Sequence, residues 1–177
     1  MLRQVARSVT LVLAMASPVA GQDALAIRNA MSAAPEAVGK DATIMDGSNR
    51  ILRPGTNGWM CMPDDPALPN NSPMCLDGPW VDFIDALMSK REPGLTRIAI
   101  GYMLQGDFPV SNTDPYAQAP AADNQWVKNA GPHIMIVLPD AKHLDGISTD
   151  PKNGGPWVMW KATPYAHIMI PTSARAP

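Results

Sequence analysis

Two short strings carry the residues most open to a chemical reading. Pro132-His133-Ile134-Met135-Ile136 and Ala166-His167-Ile168-Met169-Ile170 repeat the order His-x-Met-x. In an extended strand successive side chains alternate between faces, so His133 shares a face with Met135, and His167 with Met169. Imidazole and thioether donors suit copper, and thioethers favour Cu(I) over harder ions. If the two strands were neighbours, His133, Met135, His167 and Met169 would present four such donors on one face. The competing reading is structural: methionines fill irregular gaps in a core while the histidines hydrogen-bond locally.

The polar stretch from Gly106 to Asn124 offers a second kind of site. It shows almost no periodicity, and a structureless run of that length in a compact domain tends to be functional or mobile. Asn112, Asp114 and Tyr116, with Asn124, Gln125 and Trp126 beyond them, mix hydrogen-bonding groups with aromatic surface, the combination a small-molecule pocket uses. His133 and His167 join this ligand-binding set. A hydrolase would instead pair a histidine with Asp114 or Asp140. No nucleophile elbow, zinc-protease helix, phosphate-binding loop, dinucleotide fingerprint or EF-hand occurs to single out a reaction.

Cys61 and Cys75 are the only cysteines. An isolated pair in an exported chain reads most simply as a disulfide, and its spacing is unlike the C-x-x-C of thiol oxidoreductases. Met60, Met62 and Met74 flank the pair and would form a soft metal cluster only if both thiols stayed reduced. Asp64, Asp65, Asn70 and Asn71 are oxygen ligands of the kind calcium takes, in a loop where such residues are more often simply solvated.

An export leader sets the compartment for these readings. Arg3 and Arg7 precede the apolar run Val9–Met15, Ser17-Pro18 breaks it, and Val19 and Gly21 suit the −3 and −1 positions of a cleavage site. The run is about half the ~20 residues a membrane-spanning helix needs, and no cysteine follows to take a lipid. Residues 1–21 therefore read as signal peptide and 22–177 as one exported domain, periplasmic or secreted. None of the sixteen acidic residues lies in the leader, whereas two of the fourteen Lys/Arg residues do, so the formal charge moves from −2 to −4 on cleavage. With no basic run, nucleic acid is a poor partner. No other stretch could span a bilayer, so the chain is not an integral membrane protein; its partner is an unidentified small molecule or protein.

The positioning elements follow from pattern. Asp23 is a plausible N-cap for a helix to about Ala34. Ala42–Asp46, Arg50–Arg53 and Trp59–Met62 read as a small antiparallel meander with turns at Asp46–Asn49 and Gly55–Gly58. Trp80, Phe83, Ile84, Leu87 and Met88 recur at helical spacing, predicting an amphipathic helix over Pro79–Arg91 with a core-facing stripe. Arg97–Gln105 reads as a strand with Ile98, Ile100, Tyr102 and Leu104 on one face. His133–Leu138, Trp157–Trp160 and Ala166–Ile170 read as further strands, Ala141–Asp145 as one helical turn, and Pro171–Pro177 as a loose tail. The fold class is α+β: a mostly antiparallel sheet with one amphipathic helix packed on it, one domain, one disulfide.

Gly55-Thr-Asn-Gly-Trp59, Cys61-Met-Pro-Asp64, Pro73-Met-Cys-Leu-Asp77, Ser111-Asn-Thr-Asp-Pro-Tyr116 and Pro164-Tyr-Ala-His167 resemble segments of a group of uncharacterised exported bacterial proteins. The resemblance implies export and a single domain and carries no activity with it. The function expected is a non-enzymatic binding or accessory domain. The alternatives are the His/Asp hydrolase and a copper protein built on the paired His-x-Met strands.

Overall fold

A computed structural model of the chain describes residues 18–173, so most of the expected leader lies outside it. In chain order the elements are helix α1 (Pro18–Met31), helix α2 (Glu36–Gly39), strands β1 (Thr43–Met45), β2 (Ile51–Arg53), β3 (Met60–Met62) and β4 (Met74–Leu76), and helix α3 (Gly78–Met88). Strands β5 (Ala99–Met103), β6 (Val110–Ser111), β7 (Trp126–Val127), β8 (His133–Val137), β9 (Trp157–Met159) and β10 (His167–Pro171) follow. Eight strands form one sheet in the order β2-β1-β3-β4-β5-β8-β10-β9, and β6 pairs with β7 as a separate ribbon. Among the described residues only β1 with β3 is parallel; the other pairings are antiparallel. This is the expected α+β class with a mostly antiparallel sheet.

Both faces of the sheet are covered, because the strands alternate two sets of apolar residues. On one face α3 presents Trp80, Phe83 and Leu87 to Leu76, Ala99, Met103, Met135, Val137 and Met169. On the other, α1 packs Ala30, Ala33 and Ala34 over Ile44 and the Cys61–Cys75 disulfide. The turn at Ala141–Leu144 packs Leu144 against Val158 and Ala166 on that same face. No described helix is long and apolar enough to cross a membrane.

Trp80, Phe83 and Leu87 of the predicted α3 stripe are core and Ile84 packs partly buried against them, whereas Met88 is exposed. Asp77 caps the helix by accepting from Trp80 N (2.9 Å), and its second carboxylate oxygen accepts from Ile100 N (3.0 Å), tying helix start to sheet. The helix stops at Met88 rather than Arg91 because Lys90 takes a left-handed conformation (φ 54°). Gly101 leaves room for side chains of the flanking strands and of the helix: a β-carbon there would lie 2.9 Å from Met135 Cε, 3.0 Å from Leu76 Cδ2 and 3.4 Å from Trp80 Cδ2.

Two expectations need correction. Asp23 is not an N-cap: it lies inside α1 (Pro18–Met31), and its carboxylate instead receives both Arg50 Nη1 (3.0 Å) and Nη2 (2.8 Å). The expected cleavage point after Gly21 falls inside this helix. As expected, Ile100 and Tyr102 share one face of β5, where they stay half-buried, and the face that meets α3 is Ala99, Gly101 and Met103. The start of the predicted loose tail is paired: Pro171 lies opposite His133 in the sheet and Thr172 N donates to Pro132 O (3.0 Å).

Candidate functional site

The two His-x-Met strands, β8 and β10, are sheet neighbours, and antiparallel pairing decides what they can do together. Met169 stands directly opposite Met135, so all four residues of the echo share the α3-facing side. The same pairing carries the histidines apart. His133 lies opposite Pro171, and His167 falls level with Val137, since Ile168 pairs with Ile136. Four residues of strand separate them, roughly 13 Å along the strand direction. Ligand bonds near 2 Å do not let one ion take both imidazoles at that separation.

His167 opens instead onto a cavity between α3, the sheet and the β6 segment. Its volume is about 80 Å³. Met135, Met169 and Met159 line its sheet side, Met103 and Met74 continue that lining, and Trp80 and Phe83 come from α3. Met159 is positioned by β9, where it stands directly opposite His167. Half-buried Ile84, Phe108, Val110 and Trp160 also bound the cavity. His133 is fully buried on the same sheet face but is not one of the lining residues.

Two ionisable groups reach this apolar space. The His167 ring is caged edge-on by Trp160 (centroids 4.9 Å apart), Trp80 (5.5 Å) and Phe83 (6.1 Å). Desolvation holds its pKa down to about 4, and the Nδ1 bond to Tyr165 O (3.0 Å) only partly offsets this. The ring is therefore neutral at physiological pH, with Nδ1 protonated and Nε2 carrying the lone pair. Asp107 is the only carboxylate among the described lining residues. Burial pushes its pKa up to about 7, against a bond from the Phe108 backbone.

The long polar segment is a strap rather than a pocket wall. Asn112 is buried and acts as a hub: its Nδ2 donates to Gln125 Oε1 (2.6 Å) and Thr149 O (3.0 Å), and its Oδ1 accepts from Trp157 Nε1 (2.9 Å). Asp114 forms a local turn by accepting from Tyr116 N (2.8 Å). Tyr116 Oη lies 3.1 Å from Leu87 O and 2.9 Å from Tyr165 Oη, its proton shared between them, while Tyr165 Oη donates to Arg91 O (3.0 Å). The two phenols thereby tie the strap and the β10 approach to Leu87 O in the last turn of α3 and to Arg91 O just beyond it. Burial, then the Tyr165 bond, raises the Tyr116 pKa to about 12. Asn112, Asp114 and Tyr116 thus hold the strap down and do not line the cavity.

For the hydrolase reading, both candidate carboxylates, Asp114 and Asp140, close local turns. Nδ1 of His133 meets Gly131 O (2.6 Å) and Nδ1 of His167 meets Tyr165 O, so backbone carbonyls hold the place an orienting carboxylate would take. Asp140 accepts from Lys142 N (2.9 Å) to cap the following turn. The soft cluster around the cysteines is dispersed as well. Cys61 and Cys75 are bonded on the α1-facing side, whereas Met60, Met62 and Met74 alternate to the other. Asp64 accepts from Ser72 N and Oγ (2.8 and 3.0 Å), an arrangement that closes its own loop.

Sequence reasoning missed Asp107, Met103, Met159 and Trp160. Met159 becomes a neighbour of His167 only through the β9–β10 register, which no local pattern encodes. Trp160 had a local signal in its tryptophan-rich strand, yet its left-handed backbone (φ 55°) places its ring over His167 instead of continuing β9. No protein-family model, curated protein or solved structure matches the chain.

Proposed function

We propose that this chain is an exported, non-enzymatic binding domain that takes a small ligand in the methionine-lined cavity beneath α3. The observation that carries the reading is the cavity's lining: five methionines and an aromatic cage, with one neutral imidazole and one buried carboxylate as its polar groups. Apolar walls with few placed polar groups are what small-ligand sites use, and flexible thioethers adapt to a guest. The backbone beside the cavity adds support. Trp160 and Ala162 both hold positive φ (55° and 66°), a conformation costly for non-glycine residues that tends to persist where surrounding structure needs it. Here Trp160 is fixed by its N–H to Asn112 O (2.8 Å) and its indole N–H to Ser111 O (2.8 Å), which hold its ring over His167. Export is supported by the leader pattern and by a disulfide of the kind oxidising compartments sustain.

Thermal unfolding in rising concentrations of toluene and of indole tests the proposal. A ligand that binds only the folded state raises Tm in proportion to the logarithm of its concentration once saturation begins. A saturable rise with either probe is expected. A Tm that stays level or falls with both contradicts the reading.

A further inference from the structure

We propose that the cavity is a Cu(I) site in which His167 Nε2 and the thioethers of Met159, Met169 and Met135 are the donors. The proposal rests on the cavity being the binding site and names the class of its ligand. Register places the four donors side by side: His167 is directly opposite Met159, Met169 is directly opposite Met135, and residues 167 and 169 are consecutive on one face of β10. Directly opposed β-carbons lie about 5 Å apart, and neighbours two residues apart on one strand about 7 Å. Methionine's rotatable side chain spans such gaps, so three sulfurs can gather in front of one imidazole, and all four residues line the same cavity.

The remaining features suit a soft monovalent cation. The Tyr165 carbonyl holds His167 Nδ1–H and so orients the ring with Nε2 as its ligating atom, as backbone partners do for metal-bound imidazoles. Three thioethers and one imidazole favour Cu(I) and discriminate against magnesium, calcium and other hard ions. All four donor residues are buried, and Trp80 and Trp160 pack on the His167 ring. His133 takes no part.

The test is competition for Cu(I) against a chromogenic Cu(I) chelator under reducing, anaerobic conditions that leave the disulfide intact, checked by thiol titration. Wild type is compared with the triple variant Met135→Leu/Met159→Leu/Met169→Leu, which keeps the volume and apolarity of the lining. One Cu(I) per chain is expected in wild type, with affinity at least about 100-fold weaker in the triple variant, while zinc and magnesium do not compete. Ag(I) titration of wild type labelled at the methionine methyls gives a reading independent of any variant's folding. The Met135, Met159 and Met169 resonances should shift together while exposed Met88 does not. Absence of Cu(I) binding in wild type, equal affinity in the triple variant, or Ag(I) shifts at Met88 alone would each overturn the proposal. A Tm still raised by toluene or indole in that event leaves the binding cavity standing and removes only the copper.

Discussion

Asp107 and His167 face the same cavity, and burial drives their pKa values in opposite directions in energetic effect. Folded Asp107 keeps its proton up to about pH 7, whereas an unfolded aspartate loses it near 4. Between those values the native state binds more protons, so this group's contribution to stability falls with rising pH by about 1.4 kcal/mol per unit. Folded His167 stays neutral down to about pH 4, whereas an unfolded histidine protonates near 6.5. There the unfolded state binds more protons, so stability is lost as pH falls through that window. From about pH 4 to 6.5 the two slopes oppose each other. Asp107→Asn removes one of them: urea unfolding should show the variant gaining on wild type by about 1.4 kcal/mol per pH unit between roughly 4 and 7. A difference independent of pH would show that the carboxyl is solvated. A second residue-level consequence concerns Ala162, exposed at φ 66°. Ala162→Gly relieves left-handed strain and should stabilise the fold by about 1 kcal/mol, the strain outweighing glycine's added freedom in the unfolded chain. Denaturant midpoints measure it directly, and a destabilised variant would mean that the turn is not strained.

At the scale of elements, the disulfide and α3 are the parts most legible beforehand, and for good physical reason. The 3.6-residue recurrence of Trp80, Phe83, Ile84 and Leu87 is a local signal for a face, and two cysteines have one possible intramolecular partner each. Cys61 and Cys75 are in fact directly opposite in β3 and β4 beneath α1. Cys61→Ser with Cys75→Ser removes a cross-link spanning 14 residues, which by the chain-entropy estimate costs about 3 kcal/mol. The double variant should unfold at lower temperature than wild type in the same buffer, and thiol titration of the oxidised wild type should find no free cysteine. Unchanged thermal stability would show that sheet and helix packing hold this hairpin without the bond. The echo of His-x-Met strings was legible too, but its meaning was not. Face sharing follows from strand periodicity; the antiparallel register, which separates His133 from His167 and brings Met159 in, depends on long-range pairing. The strap around Asn112 and Tyr116 was read as a pocket because its residues are polar and aromatic. The same side chains serve equally to satisfy buried backbone groups, and composition alone does not separate those uses.

Over the whole molecule, one sheet does two jobs on its two faces. The face under α1 carries the disulfide and small alanines and is closely covered. The face under α3 carries the methionines, and there helix, strap and Trp160 turn leave a cavity. Entry of ligand into this cavity is read most directly by methyl NMR titration of methionine-labelled protein with indole. Saturable, concerted shifts of the Met74, Met103, Met135, Met159 and Met169 methyls are expected, with Met88, exposed on the outer side of α3, unmoved. Shifts confined to Met88 and other residues away from the cavity, or no saturable shift at any methionine, would contradict it.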